Sequence, residues 1–534
     1  MSSSTSAAFS SSPGSKPVHP LQIPEVLLQV GAFLNISDLR SCLRVCVAFR
    51  HTLAPLIWST PQLKDDQDRL VPRESVQANA HLVENFPLIC EPDGRYLSTY
   101  ATMRFPNLKK LVIVGSPAMG VSHWRSAMSG PLPRFIQRHR ETVQLLQLSN
   151  LNSGVDTFKF WTSLSKAPCL SELLIDHSVI AGDQSLRAFW EFVAQDSLRR
   201  IFFLSITFRG RVPIEAHANK PFRLQRAVIA DLNIEDDMFM ALMNYFGCSS
   251  ELRSLVWEAV YQAQYSAVMK VFLIQTLTKI IQRGRHRFGG LREWRLNGPG
   301  SMDPVLADFL NLLPHGLSDV HLRRTEFGPM AFQALMGHHA LTLTNLDLTQ
   351  CQNSKCAMIQ QILCVCPGLI SIKGRGLHAS DVMRTKECPW ICDRLEEWVL
   401  SIYMDTKDPY DKEAHQEIFG RLSRLIRLKT LNLMGDTEGP DGGESILERS
   451  PYPTISMQLG LGLGEIRKLR GMTHLMFHGE DEKVSIEDIR FLYSAFPMAE
   501  DIGCSLHERL MFHPDLSKII QERKKKHGGS AFAA

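Results

Sequence analysis

One spacing of apolar residues dominates the chain. It reads Leu291-x-x-Trp294-x-Leu296, Leu317-x-x-Val320-x-Leu322, Leu343-x-x-Leu346-x-Leu348, Leu369-x-x-Ile372 and Leu395-x-x-Trp398-x-Leu400, with 26 residues between successive first positions. With 44% of residues hydrophobic, three chosen positions are apolar by chance roughly once in 12 offsets, so a single match says little. Four further recurrences in phase are a different matter, at a chance rate on the order of one in a thousand or less even with Gly374 in a failed slot. Upstream the spacing recurs, with longer and less even steps, at Leu108-x-x-Leu111-x-Ile113, Val143-x-x-Leu146-x-Leu148, Leu170-x-x-Leu173-x-Ile175, Leu198-x-x-Ile201-x-Phe203, Leu224-x-x-Ala227-x-Ile229 and Leu252-x-x-Leu255-x-Trp257. Downstream follow Leu428-x-x-Leu431-x-Leu433, Met472-x-x-Leu475-x-Phe477 and a degenerate Met498-x-x-Asp501. This makes about fourteen units, the outer ones weakest.

Each match predicts a short strand. Helical runs lie between, such as Leu186-Phe189-Trp190-Phe192-Val193, Val305-Phe309-Leu312, Phe332-Leu335-Met336, Met358-Ile362-Leu363 and Ile418-Leu422-Leu425. Neither element buries its apolar face alone, so neighbouring units must stack. Parallel strands about 4.8 Å apart on one side and wider helices on the other predict an α/β horseshoe, its sheet concave and its helices convex. Longer steps mark insertions: a helix over Tyr265 to Ile281, a basic turn from Arg283 to Arg287, and an acidic Gly-rich loop from Asp436 to Glu444.

The front of the chain follows another rule. Pro24 suits the first turn of a helix, and Ile23, Val26, Leu27, Val30 and Leu34 mark one face of it. Ser37 is the expected N-cap of a second helix, with Leu39, Cys42, Leu43 and Cys46 on one side. A third helix carries Phe49, Leu53 and Leu56 and ends near Trp58. The expected organisation is a disordered Ser-rich tail over 1–18, a helical domain over 19–60, a connector or cap over 61–104, the repeats over 105–510, and a C-terminal helix with a basic tail over 511–534.

The helical stretch resembles an F-box. The resemblance is carried by Ile23-Pro24-Glu25-Val26, Phe33-Leu34, Asp38-Leu39, Leu43, Val45-Cys46, Arg50 and Leu56-Ile57-Trp58; the family usually has Trp where this chain has Phe49. The repeats resemble the leucine-rich repeats of F-box proteins, in pattern rather than in any one unit. The resemblance implies a segment that docks the adaptor subunit of a cullin–RING ubiquitin ligase. It puts adaptor contacts on Leu21, Ile23, Pro24, Glu25, Val26, Leu27, Leu34, Leu39, Leu43, Val45 and Trp58. Burying four such side chains is worth roughly 6–12 kcal/mol before entropy is charged. The alternative is a helical cap that shields the first repeat.

Strand side chains alternate, so residues flanking the last two apolar positions should line the concave face. That face is apolar in the early units, at Leu174, Phe202, Val228 and Val256, and basic later, at Arg295, His321, Arg323, Lys373 and Arg375. These nine are the candidate substrate-binding residues, since arginine pairs grip carboxylate or phosphate and apolar ladders receive protein segments.

Composition narrows the rest. Lys plus Arg number 59 and Asp plus Glu 55, a net charge of +4, too near balance to argue for nucleic acid. No apolar run approaches the ~18 residues of a membrane span. The Ser-rich start has no apolar core, so no secretory signal is expected, and the 12 cysteines are read as reduced thiols in the cytoplasm or nucleus. Cys351, Cys356, Cys364 and Cys366 lack paired zinc-knuckle spacing. Gly460-Leu461-Gly462-Leu463-Gly464 lacks the Lys-Ser/Thr of a phosphate loop. No catalytic motif, metal or cofactor is expected. The resemblance implies a substrate receptor, with an adaptor subunit and a substrate protein as partners; the alternative is an interaction scaffold with no link to ubiquitin ligases.

Overall fold

The computed structural model describes residues 19–506 except 65–69, 92–93, 117–120, 152–156, 211–222, 234–241, 243–248, 250, 259–290, 298–301, 314–315, 435–452, 480–483 and 500, together with residue 518. The two expected tails, the helix over Tyr265 to Ile281, the basic turn and the acidic loop lie outside the described residues, apart from Lys518. The chain forms two compact units, 1–193 and 194–534, a boundary nothing in the repeat spacing marks.

The first unit opens with helices Pro24–Ala32 (α1), Ile36–Cys42 (α2) and Val47–Trp58 (α3). Asn35, not Ser37, caps α2: its side chain accepts from Asp38 N–H at 2.9 Å and its amide donates to the Asp38 carboxylate at 2.7 Å. The helices close on Leu27, Leu39 and Leu53. Gly31 lets α1 approach α3, since a Cβ there would stand 2.6 Å from Leu53 and 2.7 Å from Leu56.

Strands Asn85–Cys90 (β1), Lys110–Gly115 (β2), Leu145–Ser149 (β3) and Glu172–Ala181 (β4) then pair in parallel and in chain order. The middle apolar position of each repeat lies opposite the same position of the next, Phe86 to Leu111 to Leu146 to Leu173. The sheet thus starts inside the stretch expected to be a connector. The missed rung, Val83-x-x-Phe86-x-Leu88, obeys the repeat spacing, with all three residues buried. The core beneath is aromatic, with Phe86 against Phe105 at 4.4 Å and Trp161 against Phe189 at 4.8 Å between ring centres.

The second unit holds Arg200–Arg209 (β5), Arg226–Ala230 (β6), Ser254–Glu258 (β7), Glu293–Asn297 (β8), Asp319–Arg323 (β9), Asn345–Asp347 (β10), Ser371–His378 (β11), Glu397–Tyr403 (β12), Thr430–Asn432 (β13), His474–Gly479 (β14) and Asp501–Leu506 (β15). They pair in parallel in that order, with Trp294 beside Val320, Val320 beside Leu346, Leu346 beside Ile372 and Ile372 beside Trp398. The fold is therefore α/β, a parallel sheet backed by helices such as Asp303–Leu312, Pro329–His339, Cys356–Val365 and Lys412–Leu422. The last rung is shifted by one from the expected frame: Ile502, not Asp501, pairs with Leu475, so the unit reads Ala499-x-x-Ile502-x-Cys504.

Gly374 is buried, and a Cβ on it would lie in ordinary contact with Leu400 and Leu348, at 3.4 and 3.5 Å. β11 also carries an extra residue between Lys373 and Gly376 relative to β12. Gly376 has φ +150°, and a Cβ on it would meet the Ser401 carbonyl at 2.4 Å. Elsewhere the residue two past the last apolar position turns left-handed without glycine: Asn150, His177, Ser205, Asp231, Arg324 and Gln350 all have φ between 43° and 60°.

Candidate protein-interaction surfaces

Two surfaces follow from this arrangement. The first is the outside of the helical segment. A small three-helix unit needs a core of its own, and that requirement splits the expected adaptor stripe in two. Leu27 and Leu39 are 4% and 6% exposed, so they hold the segment together and do not present a docking face. Leu34 and Leu43 pack against them, half-buried, and Trp58 is half-buried as well. Leu21, Ile23, Pro24, Glu25, Val26 and Val45 do face solvent. The exposed apolar set extends beyond the expected residues to Leu28, Val30, Val47 and Phe33, the last 89% exposed. The missed signal lay in sorting: once Leu27, Gly31 and Leu34 are assigned inward, Val26, Val30 and Phe33 fall on one flank of that face.

The segment is joined firmly to the sheet. Strands β2 to β4 and β6 to β14 are each entered by two amides sharing one carbonyl of the rung before: Glu84 C=O accepts from Lys109 and Lys110, and Lys109 C=O accepts from Gln144 and Leu145. At β1 the carbonyl of Ser59, just past α3, accepts from Glu84 at 3.0 Å and Asn85 at 2.8 Å. The end of α3 thus stands where a preceding strand would.

The second surface is the solvent face of the strands. Burial alternates as expected, with Trp294 and Leu296 inward and Glu293, Arg295 and Asn297 half-exposed. Leu174, in the first unit, and Phe202 and Val228, in the second, are half-exposed, but Val256 is 4% exposed, and Ser254 to Trp257 are all buried, so the expected apolar ladder loses that rung. The basic positions are largely answered by carboxylates on the same face. Arg295 Nε lies 2.8 Å from Glu293, and Lys373 Nζ lies 2.6 Å from Glu397, which also accepts from Ser371. Asp347 is 1% exposed and receives Arg323 Nε at 2.7 Å and the Thr349 amide at 3.0 Å, with His321 Nδ1 at 3.5 Å. Burial pushes its carboxyl pKa up, but the hydrogen bonds from His321 and Thr349 and the Arg323 charge outweigh that and hold it well below the usual carboxylate range. Arg375 is exposed and has no carboxylate partner among the described residues.

The remaining motifs are structural in place. Cys351 donates to the Leu322 carbonyl, and burial pushes the thiols of Cys366 and Cys392 up to about 12, which keeps them protonated. Among the described residues no group of three or more His, Cys, Asp or Glu side chains is placed to hold a metal ion. Gly462 supplies a left-handed turn, φ 111°, between two short helices and sits against Gln416. Among the described residues no helix is long and apolar enough to cross a membrane.

No family model matches the chain. No curated protein matches it either. Among solved structures, the Rad7 and Elc1 complex in yeast aligns at TM-score 0.35 and 14% identity, covering 72% of this chain and 88% of that one. The Arabidopsis receptor kinase HAESA leucine-rich-repeat ectodomain, in complex with an N-terminally extended IDA peptide hormone, aligns at TM-score 0.22 and 13% identity, covering 77% and 72%.

Proposed function

We propose that the chain is a substrate receptor of a cullin–RING ubiquitin ligase, with the helical segment docking the adaptor subunit and the strand face holding a substrate protein. The observation that carries this reading is the helical segment itself. Eight large apolar side chains, from Leu21 to Val47, stand outside its core and stay at least 36% exposed. A soluble surface seldom leaves such a patch without a partner. In this reading the chain is not an enzyme. It raises the local concentration of a substrate lysine near the charged ubiquitin carrier held by the partner subunits. The joint at Ser59 ties the helical segment to β1 within the first unit.

The same joint favours a second reading, a non-enzymatic repeat scaffold with no ligase link, in which α1 to α3 only cover the open edge of β1. That reading accounts for Ser59 but not for the exposed apolar set. Co-expression of the full chain with the adaptor separates the two. Co-elution on a sizing column, lost in Phe33→Asp with Val45→Asp while the circular dichroism is unchanged, supports the receptor. Separate elution of the wild-type chain supports the scaffold.

A further inference from the structure

The basic residues of the strand face are not equivalent. Arg295, Lys373 and His321 each turn toward a carboxylate on the face. Arg323 spends only its Nε on Asp347, and its side chain remains 49% exposed. Asp347 is itself buried and tied to the Thr349 amide, so the guanidinium plane is braced while its terminal nitrogens make no bond among the described residues. Arg375 is exposed and unpaired among those residues. Both are exposed, and each follows a buried residue of its strand, Leu322 and Gly374. Only β10 lies between them, bonded to each side through Arg324 N–H to Thr349 C=O at 3.1 Å and Leu348 N–H to Lys373 C=O at 2.9 Å. Two strand spacings put their Cα atoms about 10 Å apart, with the small side chain of Thr349 between. The extra residue of β11 falls under Arg375, and such bulges re-aim a side chain.

We propose that Arg323 and Arg375 form a grip for a phosphorylated side chain of the substrate, an assignment that rests on the strand face being the substrate-binding one. A carboxylate satisfies one guanidinium fork. A phosphate monoester, with three acceptor oxygens and a charge near −2, matches two. Asp347 beneath offsets one positive charge and fixes the geometry of the first arginine.

The test is capture of degenerate peptide pools by the full chain: one pool centred on phosphoserine, one on serine, one on glutamate. The expected result is retention of the phosphoserine pool over the serine pool by about tenfold or more. Arg375→Gln, which strands no partner, should remove the preference, and so should Arg323→Gln. Arg292→Gln, an exposed side chain just before β8, should keep it. Equal retention of all pools by the wild type overturns the site. Equal retention of the glutamate and phosphoserine pools overturns the phosphoryl assignment in favour of a carboxylate. Adaptor binding is measured on the same preparations: phosphoserine preference without it keeps this site and sinks the ligase reading, and adaptor binding without the preference does the reverse.

Discussion

Individual residues carry the strain and the titration in this molecule. His139 is 2% exposed, its ring between the Phe135 carbonyl at 2.8 Å and the Phe105 amide at 2.9 Å, where Nε2 must accept. Burial, with Arg138 and Arg104 nearby, pulls its pKa down to about 4 against the Phe135 bond that raises it. The folded chain therefore keeps a neutral ring where the unfolded chain takes up a proton below about 6.5. Stability from this site is fully present above that pH and is lost as pH falls toward 4, to a total of at most about 3 kcal/mol. Melting followed at pH 7, 6 and 5 should show this loss, and His139→Gln should shallow the dependence; an unchanged slope would remove His139 as its cause. Glycines give a paired contrast. Gly376→Ala should destabilise by about 2–4 kcal/mol, since φ and the Ser401 carbonyl both oppose a Cβ. Gly337→Ala, in the helix Pro329–His339 with nothing within 4 Å, should instead raise stability by about 0.5–1 kcal/mol. Denaturant melts of both variants check the signs.

Among the elements, the instructive one is the short helical segment. The spacing of its apolar residues was legible, and α3 ends at Trp58 as expected. Which side of α1 faces inward was not, because Ile23, Val26, Leu27, Val30 and Leu34 all lie within one broad stripe. The packing of Leu27 and Gly31 against α3 decides it, and that depends on where α3 lies rather than on α1. Asp at Leu27 or Leu39 would consequently unfold the segment instead of probing a surface. Ser59 is a second case: the role of its carbonyl comes from the ladder and has no sequence signature. It predicts that a chain lacking residues 1–60 exposes the β1 edge and self-associates. Light scattering should show a rise in mass for the truncated chain and none for Phe33→Asp in the full chain. A monodisperse truncated chain would show that α1 to α3 do not protect the edge.

At the scale of the whole molecule, the repeat spacing specified nearly every rung, since each match buries the same positions against the same neighbours. The rungs it missed or misplaced, at Val83 and Ala499, lie at the ends, where only one neighbour constrains the residues. The candidate sites were less legible. Alternation placed Arg295, His321, Arg323, Lys373 and Arg375 on the outer face, but the carboxylate partners of the first four lie mostly on other strands, and register rather than sequence distance brings them together. Val256 was lost because period-2 alternation assumes one solvated face, and β7 is buried on both. The central claim concerns the segment from Leu21 to Val47 and is tested most directly by hydrogen–deuterium exchange of the full chain with and without the ligase adaptor. The receptor reading predicts added protection over Leu21 to Phe33 and around Val45 and Val47, and none along β8 to β12. Exchange left unchanged across the helical segment at saturating adaptor would contradict it.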